Sequence, residues 1–363
     1  MIYLGYFILI FTLIQFLVAL INLITETHLP RTGVVTGKMV SLLIPARNEE
    51  KNIGNILEDI KDQAYENMEV IIFNDQSEDR TVEIVTAFIQ DDNRFRLINS
   101  DTLPGGWLGK NYACHSLSGH ASGSYYMFLD ADVRIAKNLI GDSVSYSEKH
   151  GTGLISIFPE QIIRSFGEQI TVPNMNYILV SLLPLILVRK SRFASLSAAN
   201  GQFMCFNASV YNEITPHERM KSDKVEDIAI ARLLKNEGIK VACLLGDDRI
   251  RCRMYNGFID AVNGFSKNVT AFFGKSFTLA VLFWLITTFG FIVVYLAFPL
   301  KYFIAYLTAY LMTRILISVP GGQNVINSLV YILPLQLSMG LFICKASYNK
   351  LFRKFEWKGR NIS

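Results

Sequence analysis

The side chains best suited to chemistry in this chain are acidic, and they lie far apart in sequence. Asp130-Ala131-Asp132 follows five apolar residues, Tyr125 to Leu129. At the end of a strand, alternate side chains point the same way, so both carboxylates can face one ligand. Two carboxylates completed by phosphate oxygens suit Mg²⁺ or Mn²⁺, hard ions that keep oxygen ligands. The bland alternative for a lone DxD is a turn or a helix cap. Asp75 sits in Phe73-Asn-Asp-Gln-Ser-Glu-Asp79. It can accept a hydrogen bond from a nucleobase or ribose, or it can cap the next helix, as can Ser77 or Asp79.

Pro104-Gly-Gly-Trp-Leu-Gly-Lys110 is a glycine-rich loop that enters a helix, a form that brings backbone N–H groups and a lysine to phosphate. Asn111 stands where a Walker motif needs Ser or Thr, which disfavours a P-loop ATPase. Glu226-Asp227 opens a strongly helical stretch, Ile228 to Leu234. Carboxylates there complement the helix dipole, or one of them serves as a general base toward an acceptor hydroxyl. His28, His115, His120, His150 and His217 have no metal spacing. Of these, His217 is kept as a candidate near the acceptor.

The intervening sequence supplies elements to position these groups. Val40 to Ile44, Glu69 to Phe73, Phe95 to Ile98 and Tyr125 to Leu129 read as buried strands. Between them, Ile53, Ile56, Leu57 and Ile60 form one helical stripe, Val82, Val85 and Ile89 another, and Lys110 to Leu117 a third. Strand–helix alternation predicts an α/β fold, a mostly parallel sheet with helices on both faces. Ligands then bind beyond the carboxyl ends of the strands. That rule gathers Arg47, Asn48 and Glu49, then Asn74 and Asp75, then Asp130 and Asp132 on one rim.

Apolar residues make up 51% of the chain and charged residues 18%, and mean hydropathy is +0.29. A soluble surface needs more charge than that. Ile2 to Leu23 is long enough for an uncleaved anchor, about 20 residues per bilayer crossing. Phe277 to Phe298 is a second span and Tyr302 to Val319 a third, with Arg314 expected to snorkel or face a polar interior. Val325 to Cys344 is a further candidate, interrupted by Pro334 and Gln336. Three full C-terminal spans would put the basic tail opposite the 25–276 segment, against the positive-inside tendency. One of them is therefore expected to be re-entrant or interfacial. Tyr177 to Val188, followed by Arg189, Lys190 and Arg192, is either a buried core helix or an interfacial segment. The net charge of +4 gives no case for nucleic acid. Five cysteines without a CxxC pair give neither a zinc site nor a disulfide framework.

The order of these pieces, from about Val40 to Lys267, resembles the inverting family 2 glycosyltransferases of GT-A type. Ile44 to Glu50 (IPARNEE) resembles the family's first-strand nucleotide-binding stretch, and FNDQSED its DDGSxD motif, with Asn74 and Gln76 departing from it. DAD matches the metal motif, and Val225-Glu-Asp227 the ED motif whose aspartate is the base. GGWLGKNYAC (Gly105 to Cys114), NGQFMCF (Asn200 to Phe206) and FEWKGR (Phe355 to Arg360) are similar to bacterial membrane glycosyltransferases of carotenoid and hopanoid pathways. The QxxRW motif of processive synthases is absent; Arg251 to Tyr255 is the nearest text, and Arg253 is the candidate diphosphate ligand.

The resemblance implies a GT-A-like domain with transmembrane helices at both termini. The expected division is an anchor at 1–24, a nucleotide-sugar half at 38–150 and an acceptor half at 151–276, with a possible interfacial segment at 175–190. Membrane segments at 277–344 and a basic tail at 345–363 follow. It implies transfer of one sugar, glucose from UDP-glucose, to a lipid-like acceptor such as a carotenoid acid, hopanoid or polyprenyl phosphate. The alternatives are a processive polysaccharide synthase and a non-catalytic membrane scaffold. Pro45, Ala46, Arg47, Glu49, Asp75, Lys110, Asp130 and Arg253 would bind the nucleotide-sugar, and Asp132 with Asp130 the Mg²⁺ or Mn²⁺. Asp227, with Glu226, would be catalytic, and Asn200, Gly201, Gln202 and His217 would lie near the acceptor. The setting implied is a multi-pass protein of the inner membrane, its catalytic domain facing the cytoplasm.

Overall fold

The computed structural model describes residues 1–33 and 37–352, and the backbone of 356–357 and 360–361. Much of the basic tail, including Arg353, Lys354 and Lys358, lies outside the described residues, as does Phe355 of FEWKGR.

In chain order the strands are β1 (Val40–Ala46), β2 (Met68–Asn74), β3 (Phe95–Asn99), β4 (Tyr125–Leu129) and β5 (Val133–Ile135), followed by β6 (Leu154–Phe158), β7 (Glu160–Gln161), β8 (Phe203–Asn207), β9 (Val241–Leu245) and β10 (Ile250–Cys252). Seven of them form one sheet in the order β3-β2-β1-β4-β8-β6-β9. β8 runs antiparallel between β4 and β6, and the remaining pairs are parallel. The expectation of a mostly parallel sheet holds, with one reversed strand. β1, β2 and β4 are buried almost throughout, as strands covered on both faces must be. Ile53–Lys61 packs Ile53, Ile56, Leu57 and Ile60 into the core, the predicted stripe.

A second sheet, β5-β10-β7, sits at the rim. β5 begins at Val133, directly after Asp132, and pairs antiparallel with β10. This pairing fixes where the Asp-Ala-Asp turn points.

Among the described residues, three helices are long and apolar enough to cross a membrane: Ile2–Ile24, Phe277–Ala297 and Leu300–Ser318. At one end Tyr6 packs edge-on against Phe298, ring centroids 4.8 Å apart. At the other, His28 Nε2 lies 2.9 Å from the Pro320 carbonyl, beside the sheet. All three therefore share their ends. The 325–344 stretch differs from a continuous span. It divides into Val325–Val330 and Ile332–Phe352. Gln336 meets Thr287 and Thr288, midway along Phe277–Ala297, while Lys350 stacks on Phe277 at its start. This last helix thus runs beside the domain-proximal half of its neighbour and returns toward the sheet domain. The described start of the basic tail, up to Phe352, therefore lies on the domain's side of this helix group.

The Tyr177 to Val188 segment is two helices, Pro173–Leu182 and Leu185–Lys190, broken before Pro184. The first is buried on nearly every side, against the N-terminal helix. Gln15 donates to Ser181, and Asn22 donates to the carbonyls of Val180 and Leu183 and accepts from Leu185 N–H. Asn22 thus satisfies backbone groups freed at the break, and Gln15 pairs with a side-chain hydroxyl one turn before it. Arg314 does not snorkel; it is buried, 3.5 Å over the Tyr177 ring and bonded to Tyr310.

Candidate active site

The rim loops are built by short backbone bridges. After β1, Asn48 takes a left-handed conformation (φ 53°), and after β2 Gln76 does the same (φ 55°), so both loops turn sharply off their strands. Asp75 N–H donates to the Ala46 carbonyl, and Arg47 Nη1 donates to the carbonyls of Asp75 and Gln76 at 2.7 and 3.3 Å. Asn74, where the family motif carries Asp, accepts from Ser77 N–H and donates to Asn99. It therefore shapes the loop that presents Asp75.

Pro45, Ala46, Arg47, Glu49, Asp75, Lys110, Asp130 and Asp132 line one cleft of about 130 Å³. A second cavity, of about 300 Å³, shares Gly109, Lys110, Asp130 and Asp132 with it and continues to Asn200, Gly201, Gln202, Glu226 and Asp227. The two are one continuous depression with Lys110 at its waist.

Lys110 comes from the start of helix Gly109–Gly119, whose N-cap Leu108 donates N–H to the Lys221 carbonyl. Its Nζ lies 2.7 Å from Asp130 and 3.7 Å from Glu226. Burial alone would lower its pKa, but Asp130 and Glu226 outweigh burial and raise it, so the ammonium stays charged. Burial raises the carboxyls of both Glu226 and Asp227, with Lys110 opposing. Asp227 accepts from Ile228 N–H at 2.7 Å through one oxygen and from Gly201 N–H at 3.0 Å through the other. Gly201 packs so close that an added Cβ would lie 3.0 Å from Lys110 Nζ and 3.3 Å from Glu226 Oε1.

Two expected residues lie elsewhere. His217 lines neither cavity. It is buried among Phe128, Phe206 and Tyr211, its Nδ1 2.8 Å from the Tyr211 hydroxyl. Burial pushes its pKa down to about 3, so it is a neutral core histidine. Arg253 also lines neither cavity and instead pairs with Glu168 at 2.8 Å. Arg164 and Ser165 N–H and the Ser165 hydroxyl also donate to Glu168. Burial opposes these bonds, but together they hold the Glu168 carboxyl down at about 2.

Other residues enter the site without warning from the sequence. Asn111 donates to the carbonyls of Met220 and Asp223, tying the turn before Glu226 to the glycine-rich loop. Cys252 accepts from Gln202 Nε2 at 2.9 Å and shares a hydrogen bond with Asp132. Met254, Tyr255, Gly264 and Lys267 close the far wall. Asn111 showed only as a missing Walker hydroxyl, and the wall residues carry no motif.

Residues 41–215 match the family described as Glycosyl transferase family 2. That stretch, just under half of the chain, is similar to a family 2 glycosyltransferase domain. The chain is 26% identical over 244 residues to 4,4'-diaponeurosporenoate glycosyltransferase of Staphylococcus haemolyticus, covering 64% of this chain and 62% of that one. The enzyme of the same name from Staphylococcus aureus (strain USA300) is 26% identical over 243 residues, covering 64% and 61%. The matched region thus spans somewhat under two thirds of those relatives' length. Among solved structures, a mannosyltransferase of Pyrobaculum calidifontis in complex with GDP-Man and Mn²⁺ shares the fold. Its TM-score is 0.60 at 15% identity, over 98% of each chain. The domain is GT-A-like.

Proposed function

We propose that this chain is a membrane-associated inverting glycosyltransferase that moves one sugar, glucose from UDP-glucose, to a lipid-like acceptor. The acceptor class is that of a carotenoid acid, hopanoid or polyprenyl phosphate. The observation that carries the reading is the meeting of Asp75, Asp130, Asp132 and Asp227 along one depression.

Asp75 and the Pro45–Glu49 stretch hold the nucleoside. Lys110 offsets diphosphate charge. Asp227 takes the proton of the acceptor's reacting O–H, a hydroxyl in a hopanoid and the acid O–H in a carotenoid acid or polyprenyl phosphate. That oxygen attacks the anomeric carbon from the face opposite UDP, which leaves as the diphosphate. Burial raises the basicity of Asp227, and each of its oxygens spends one lone pair on a backbone N–H, which orients the carboxylate. Glu226 beside it shares the field of Lys110.

Asp130 and Asp132 fit a divalent metal. Both line the cleft and both are carboxylate oxygen donors, Asp130 being shared with the Lys110 ammonium. Such a pair suits Mg²⁺ or Mn²⁺ completed by diphosphate oxygens, as these ions prefer. When bound, the metal would neutralise charge on the leaving diphosphate.

The three apolar helices support a setting for the domain beside a bilayer, which we assign to the inner membrane with the catalytic face cytoplasmic. The interior of the helix group is filled by Gln15, Ser181, Tyr177 and Arg314, which supports single transfer over a polymer-conducting synthase. The test is incubation of the detergent-solubilised protein with labelled UDP-glucose and bacterial lipid extract, with and without EDTA. A lipid-soluble product carrying one sugar, abolished by EDTA, is expected. A labelled polymer, or no metal-dependent UDP release, would overturn the reading.

A further inference from the structure

The catalytic depression does not end at Asp227. Lys224, Val225 and Lys267 are common to it and to a further cavity of about 430 Å³. That cavity runs out to Phe277, the first residue of the apolar helix Phe277–Ala297, and to Ala346 on the returning helix. Its walls carry five cations, Arg219, Lys224, Lys267, Lys275 and Lys350, and one carboxylate, Asp223. Asp223 is taken by Lys275 at 3.0 Å, and Arg219 reaches outward to Glu237 at 3.0 Å. The vestibule therefore has strong positive charge at the mouth where the membrane helices begin, an apolar floor, and an open connection to the catalytic base.

We propose that this vestibule binds the anionic group, a carboxylate or phosphate, of an amphiphilic acceptor, with Lys267 and Lys350 as its principal contacts. This rests on the transferase reading above and specifies its acceptor. The acceptor's apolar chain lies along Phe277 and Ala346, toward the membrane, while the reacting oxygen, carried on the anionic group itself or on a hydroxyl beside it, is presented inward to Asp227. Charge complementarity selects such a molecule. A neutral amphiphile gains only the apolar floor, and a soluble anion gains only the charge. Cations at a membrane boundary attract anions over a screened range, and close contact strengthens that attraction.

The experiment uses the full chain in neutral detergent. The probes are 11-dansylundecanoic acid, its methyl ester, and inorganic phosphate as the soluble anion, with binding read by dansyl fluorescence and competition. The acid is expected to bind at least about tenfold more tightly than the ester. In the double variant Lys267→Glu, Lys350→Glu the acid should lose at least about tenfold while the ester changes less than about twofold. Phosphate should compete only weakly. UDP binding is measured on the same samples as the check on folding and on the donor site. If the charge reversal fails to fold, Lys267→Met, Lys350→Met replaces it, with the same direction expected. Equal binding of acid and ester, or an acid preference that survives in a variant that still binds UDP, would overturn the vestibule assignment. Phosphate displacing the acid as well as unlabelled acid does would reduce the site to a general anion site and also overturn it. Loss of UDP binding by the wild-type chain, with the acid preference intact, would instead count against the transferase reading alone.

Discussion

Lys110→Met is the most informative single change, because it removes one charge and leaves the stem that packs the waist of the cleft. Lys110 Nζ is 2.7 Å from Asp130, and at an effective dielectric of about 20 such a pair attracts by about 6 kcal/mol before desolvation. The two side chains are 24% and 26% exposed, so screening and solvation recover part of that. Removing one partner of a fully buried pair costs about 3–5 kcal/mol, and partial exposure brings the expected loss of stability to about 2–3 kcal/mol. The substitution also removes the cation that lowers both Asp227 and Glu226, so the base carboxyl rises further and the acid limb of the pH–rate profile moves to higher pH. Loss of the diphosphate counter-charge should separately cut kcat/KM by about 30–150-fold, which corresponds to about 2–3 kcal/mol of transition-state stabilisation. Denaturant unfolding in detergent, UDP binding and a pH profile together check these points. A variant within about 0.5 kcal/mol of the parent, with rate and acid limb unmoved, would refute the reasoning.

Other changes separate site from scaffold. Arg253→Ala should destabilise by about 1–3 kcal/mol while leaving UDP affinity unchanged, measured by unfolding and nucleotide titration, because it strips Glu168 of its partner. The Glu168 carboxyl is held at about 2 against an ordinary 4.5, so its contribution to stability is complete above pH 4.5 and disappears as pH falls from there toward 2. Gly201→Ala pushes a methyl against Lys110 and Glu226; transfer should fall about tenfold or more in steady-state assays, with nucleotide binding retained. His217→Phe should cost about 1 kcal/mol for the lost Tyr211 bond and leave the pH–rate profile unchanged between about pH 6 and 8. A shifted profile would return His217 to the site.

The sheet half that binds nucleotide was legible because its signals are local. β1 to β4 are short apolar runs, each followed by polar residues, and parallel topology converts strand ends into a rim. Asp75, Asp130 and Asp132 follow from that rule alone. β6, β8 and β9 were not read from the sequence. β8 begins inside NGQFMCF, and nothing local says that it is reversed between β4 and β6. Its register places Gly201 beside Asp227, a contact between residues 26 apart. Arg253 was misplaced because its partner, Glu168, lies in a capping box 85 residues earlier. His217 was misplaced for a related reason: an aromatic cage from three separate elements buries it, and no spacing reports such a cage. The charge conflict in the C-terminal helices was visible in the sequence, but the return of the last helix toward the domain shows only in the contacts of Gln336 and Lys350.

The account stands on Asp227 as the base. Asp227→Asn keeps the size and the backbone contact at Gly201 but cannot take a proton, and the measurement is UDP-glucose-dependent glycolipid formation beside UDP affinity on the same preparation. Transfer should drop by about 10²–10⁴-fold with UDP affinity within about threefold of the parent. Transfer at the parental rate by a variant that binds UDP normally would contradict it.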